Sequence, residues 1–128
     1  MEFLTFEAVL AIHADQLATY GGADGILDEG VVRAALAAPA HTFGGQYLNE
    51  DVAAMAAAYL FSFAASQGFI DGNKRTAVGC VYEFLATNGY DLDCSSEDLY
   101  DVTMRVANRL LDKDGAAEWV RDRIAPAL

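Results

Sequence analysis

A chain of 128 residues is long enough to close one hydrophobic core but not two, so a single domain over residues 1–128 is expected. Its composition, 54% hydrophobic and 21% charged with two prolines, excludes a disordered chain and places function in a site on a folded scaffold. A net charge of −11, from 8 basic against 19 acidic side chains, excludes general nucleic-acid binding, which needs a basic face to neutralise phosphates.

Thr5 is placed to cap a first helix in which Phe6, Val9, Leu10, Ile12, His13 and Leu17 form an apolar stripe, stopped by Gly21 and Gly22. Asp28 caps a shorter helix that ends before Pro39. The following "HTFGGQYLN" sets Gly44 and Gly45 between aromatics and reads as a mobile loop. Asn49, followed by Glu50 and Asp51, reads as the cap and acidic first turn of a third helix. That helix continues "VAAMAAAYLFSFAAS", apolar all round, so it is expected at the centre of the fold.

Arg75 to Thr87 reads as the next helix, with Asn88 and Gly89 as its stop. "CSSEDLYDVTMRVANRLL" carries a serine cap, an acidic first turn, and Arg105 and Arg109 one turn apart on a shared face. A last helix surrounds Trp119. No stretch alternates long enough for a sheet, which predicts an all-α bundle of about six helices. Cys80 and Cys94 have no CxxC or histidine partner pattern, which disfavours zinc and disulfides. With no signal-peptide pattern and no apolar run of ~18 residues, the expectation is a cytoplasmic protein without membrane contact.

Between the two most apolar helices lies "SQGFIDGNKRTAV", which holds the chain's only adjacent basic pair. Gly68 and Gly72 let a ligand approach the backbone, and the next helix begins with unpaired N–H groups and a positive dipole end. Lys74 and Arg75 add full charge there, a combination suited to phosphates. Asp71 beside them calls for a divalent cation in between, and Mg²⁺ commonly joins one or two carboxylates to substrate phosphates. Asn73 either orients a phosphate oxygen or fixes the loop. Asp-Gly-Asn also serves ordinary turns and helix caps, so the residues by themselves lead to an anion site and no further.

"GFIDGNKRTA" resembles the Fic and Doc family, whose motif is His-x-Phe-x-[Asp or Glu]-Gly-Asn-x-Arg between two central helices. Lys74 and the following Arg75, Thr76 and Ala77 resemble the Doc, or death-on-curing, branch. "FLTFEAVLAIHADQLATYGGADGILDEGVVRAALAAP", "TFGG" and "FLATNGYDLD" extend the resemblance over most of the chain. It implies a compact helical bundle whose motif loop binds ATP and Mg²⁺, in a toxin kept in check by a cognate antitoxin. Doc-type members phosphorylate translation elongation factor Tu, whereas Fic members, with glycine where Lys74 stands, transfer AMP to hydroxyls.

By this resemblance Asp71 holds the metal, while Gly72, Asn73, Lys74, Arg75 and Thr76 cradle phosphates and Phe69 anchors the loop. "HTFGGQYL" matches the flap that positions the target segment. The departure is Gln67, which stands where the family has its general-base histidine. A carboxamide does not titrate near neutral pH, and loss of a positioned base lowers rates by roughly a hundredfold to ten-thousandfold. The expectation is a kinase scaffold with weak or absent activity. Either a natural pseudoenzyme or an inactivating change leaves glutamine here. His13 reads as a buried, satisfied histidine and His41 as a loop residue, so neither is expected to replace the base.

Overall fold

The computed structural model describes residues 1–128, and its six α-helices match the expected helical fold. Thr5 caps α1 (Phe6–Tyr20), its hydroxyl accepting from the Ala8 N–H at 3.1 Å. Asp28 caps α2 (Glu29–Ala37) through the Val31 N–H, and a single 3₁₀ turn over Ala38–Ala40 follows.

"HTFGGQYLN", which the sequence reads as a mobile loop, contains a short hairpin of β1 (Thr42–Phe43) and β2 (Gln46–Tyr47). Gly44 and Gly45 both adopt positive φ, 59° and 81°, and so make the two-residue turn whose twist matches antiparallel strands. Four strand residues offer no alternation to detect; the glycine pair was the available signal.

α3 (Val52–Ala64) is capped by Asp51 and not by Asn49. The Asn49 carboxamide is buried and donates to the Ala38 and Pro39 carbonyls, so it closes the preceding turn. Asp51 accepts from the Ala54 N–H at 2.8 Å and pairs with Arg121 through two bonds of 2.8 and 3.1 Å. The Arg121 guanidinium holds the Asp51 carboxyl below the usual carboxylate range. Ala53, Ala56, Ala57 and Ala58 are all buried and let α4 (Asn73–Thr87) and α6 (Lys113–Arg121) pack closely on α3. α3 is therefore the central helix, as its all-round apolarity predicts.

α4 begins at Asn73, two residues before the expected start, because left-handed Gly72 (φ 80°) turns the chain into the helix. β3 (Tyr90–Leu92) follows, then α5 (Ser96–Ala107) with Ser95 as its cap. α5 ends before Arg109, which has φ 60°, so Arg105 and Arg109 do not share a helix face. β4 (Ile124–Pro126) returns beside β3 and ties the C-terminal segment to the end of α4. These three-residue strands are too short for a period-two pattern.

One cluster of 25 buried residues unites these helices. Phe84 packs against Tyr59 at 5.0 Å and Phe3 at 5.9 Å between ring centroids, joining α4, α3 and the N-terminal segment. The Tyr59 hydroxyl accepts from the Leu4 N–H, and burial pushes its pKa up to about 12. No helix is long and apolar enough to cross a membrane.

Candidate functional site

The segment between α3 and α4 is held by main-chain bonds to the chain leading into α2. The Gly68 carbonyl accepts from the Leu27 and Asp28 N–H groups at 2.9 and 3.0 Å, and Ile70 N–H donates to Gly25 at 3.0 Å. A Cβ on Gly68 would lie 2.6 Å from Val32 Cγ2 and 3.1 Å from the Val32 backbone nitrogen, so only glycine allows this approach. Phe69 is fully buried and stacks on His13 at 3.9 Å between centroids with planes 9° apart.

His13 Nε2 lies 2.8 Å from the Asp71 carbonyl oxygen. A carbonyl only accepts, so His13 carries a proton on Nε2 and donates it. The imidazole is committed to holding the loop, in keeping with its reading as a satisfied, buried histidine. Asn73 holds the same loop from the other end: its Oδ1 accepts from Phe69 N–H and its Nδ2 donates to Phe69 O, both at 3.0 Å. Of the two roles the sequence left open for Asn73, the structure displays loop fixation.

These constraints shape a cleft of about 330 Å³ lined by Gln67, Asp71, Gly72, Asn73, Lys74 and Arg75, together with Ser66, Ile70 and Tyr100. Six of the nine residues that the sequence assigns to the site therefore come together, whereas Gly68, expected to admit a ligand, is buried against Val32. Phe69 and Thr76 are buried and do not line it, and the Thr76 hydroxyl has no hydrogen-bond partner. Asp71 is the cleft's only carboxylate. Its Oδ2 accepts from Ala23 N–H at 3.2 Å and its Oδ1 from Gly72 N–H at 3.0 Å, which orients the group and leaves lone pairs free. Gln67 is exposed at the cleft wall and makes no side-chain hydrogen bond within the protein.

Arg75 makes no ion pair in a chain with 19 acidic side chains, and its guanidinium carbon lies 4.0 Å from the Tyr20 ring centroid and 3.8 Å from that of Tyr100. Neither tyrosine is marked by the sequence, because they come from the end of α1 and the first turns of α5. Neither histidine lines the cleft; His41 stays exposed beside the hairpin.

The cleft sits at the N-terminus of α4, whose unpaired N–H groups and dipole add to the charges of Lys74 and Arg75. Such a setting is suited to an anion with several oxygens, and the single carboxylate fits a divalent cation whose remaining ligands are phosphate and water.

The pattern of the Fic/DOC family matches residues 3–85. The chain is 36% identical over 118 residues to the Toxin Doc of Mycolicibacterium smegmatis, covering 91% of this chain and 88% of that protein. It is 28% identical over 121 residues to the protein named Protein kinase doc of Escherichia phage P1, covering 94% of each.

Proposed function

The chain belongs to the Fic/DOC family, and from that premise we propose that it is a Doc-like toxin of a toxin–antitoxin system. Its cleft takes ATP with Mg²⁺, its reaction class is phosphotransfer to a protein hydroxyl, and its target by family resemblance is translation elongation factor Tu. The observation that carries this reading is the convergence of Asp71, Lys74 and Arg75 on one cleft at a helix N-terminus. The names of the two relatives support the toxin and kinase parts, and the toxin reading brings with it a cognate antitoxin and a cytoplasmic setting.

The residues fit the group they are asked to hold. Asp71 would hold Mg²⁺, and Lys74, Arg75 and the first N–H groups of α4 would hold phosphate oxygens, with left-handed Gly72 turning the backbone toward them and Asn73 and Phe69 keeping that backbone in place. Bound Mg²⁺ would neutralise the charge that develops on the transferring phosphoryl group. Arg75 and Lys74 meet the same charge from the protein side, Arg75 through planar paired donors and Lys74 as a point charge. Gln67 stands where a base would accept the proton of the attacking hydroxyl. Its carboxamide hydrogen-bonds that hydroxyl and does not take its proton, so turnover is slow.

Gln67 also favours a second reading, a non-catalytic module that keeps nucleotide or protein binding. Lys74, in place of glycine, argues against AMP transfer. The test is Gln67→His, assayed for phosphate transfer from ATP to elongation factor Tu and for growth arrest on induction without an antitoxin. The kinase reading predicts a gain in both. A variant that binds Mg–ATP but transfers nothing and leaves growth unaffected contradicts that reading and favours the binding module.

A further inference from the structure

We infer that Tyr20 and Tyr100 are positioning residues that clamp the Arg75 guanidinium so that its in-plane donors serve the anionic part of the ligand. The inference rests on the reading that this cleft takes phosphates and adds two residues outside the motif loop.

Arg75 lies over both rings, at 4.0 and 3.8 Å from their centroids, well within the range of cation–π attraction. Aromatic faces attract the guanidinium but do not use up its N–H groups as a carboxylate would. Neither an ion pair nor a side-chain hydrogen bond engages Arg75. Arg33 and Arg123 also lie over a ring, Phe6 and Trp119, but engage donors with Glu29 and the Trp119 carbonyl. Arg121 is paired with Asp51, and Arg105 and Arg109 lack partners but lie over no ring; Arg75 alone combines two ring faces with unengaged donors. Contact with ring faces leaves the edges of the planar cation for hydrogen bonding, the part that recognises phosphate in bidentate fashion.

An arginine free in solvent loses rotamer entropy on binding; one already held between rings loses less. The clamp also joins separate parts of the fold. Tyr20 ends α1, and three residues later Ala23 N–H donates to Asp71 Oδ2, so one short segment touches both the guanidinium and the carboxylate. Tyr20 remains 57% exposed, which makes core packing a poor explanation for its placement.

The experiment is calorimetric titration of the full chain with ATP and MgCl₂, beside Tyr20→Leu, Tyr100→Leu, the double variant, both tyrosine-to-phenylalanine variants and Arg75→Ala. Loss of one ring is expected to weaken binding about two- to fivefold, and loss of both about five- to twentyfold. The phenylalanine variants, which keep a ring, are expected to rescue binding. A ligand-independent readout is the Arg75 Nε–H NMR resonance, expected to be shifted upfield by the rings and to return on leucine substitution.

ATP affinity unchanged in the double leucine variant but lost in Arg75→Ala overturns the clamp and leaves the nucleotide reading standing. No ATP binding by the parent chain overturns the nucleotide reading and, with it, the clamp's role toward phosphate. An Arg75 resonance like those of solvent-exposed Arg105 and Arg109 overturns the clamp whether or not ATP binds.

Discussion

Replacing Asn73 with alanine removes the one side chain that satisfies both backbone groups of Phe69, a residue with no exposed surface. Each polar group left unsatisfied costs about 1–3 kcal/mol, and the two bonds are only partly buried, which places the combined loss near the lower part of that range for each. Alanine recovers about 0.5 kcal/mol through its helix propensity at the start of α4. The expected net loss is therefore about 1.5–2.5 kcal/mol, read from urea unfolding with an unchanged m-value. Asn73→Asp supplies a second check, because it keeps the acceptor for Phe69 N–H but sets a carboxylate oxygen against Phe69 O. It should be destabilised at neutral pH, with its deficit relative to the parent narrowing as acid protonates the new carboxyl and restores a donor. A loss below about 0.5 kcal/mol in Asn73→Ala, the size typical of an uninvolved surface site, would refute the assignment of Asn73 as the loop's fastener.

Gly68→Ala should lower stability by about 1–3 kcal/mol, because the new methyl meets both the side chain and the backbone of Val32. Thermal melts of Gly68→Ala with and without Val32→Ala should show only partial rescue, since the backbone contact stays. Asp51 has a folded pKa below its ordinary value, chiefly through its hydrogen bonds with Arg121, so its stabilisation is complete above the unfolded pKa and fades as pH falls through the folded one. Arg121→Ala should flatten that acid limb in urea titrations, whereas Arg33→Ala should not. Tyr59 titrates near 12, so the stability from its neutral phenol is full below about pH 10 and is lost as pH rises through the folded value. Phenolate absorbance should show a late-titrating tyrosine that is missing in Tyr59→Phe.

Helix existence was legible wherever caps and apolar faces coincided. Thr5, Asp28 and Ser95 each cap the helix they announce, and the alanine-rich run of α3 sits at the centre. The failures lay where two polar neighbours competed or where elements were too short for periodicity. Asn49 and Asp51 are equally good caps on paper, and only the turn at Pro39 decides that Asn49 faces inward. The two ribbons have two or three residues per strand, and Arg109 left its helix through a left-handed turn that its residue type does not advertise.

The cleft was legible as a motif because its chemistry is contiguous in sequence, from Gln67 to Arg75. Its supports were not. Tyr20, Ala23 and His13 reach the loop from α1 and its end, and Tyr100 from α5, through contacts that tertiary packing alone creates. His13 shows the limit in reverse: its place on an apolar stripe marked it as buried, but not as the donor to Asp71.

Under the proposed function this cleft is a nucleotide site lacking only its base, a reading that rests on Mg–ATP binding. It is tested most directly by titrating the parent chain with ATP, with and without Mg²⁺, beside Asp71→Ala and Arg75→Ala. The expected result is Mg²⁺-dependent binding by the parent, loss of the Mg²⁺ dependence in Asp71→Ala and loss of affinity in Arg75→Ala. No binding by a folded parent chain, or binding indifferent to both substitutions, would contradict it.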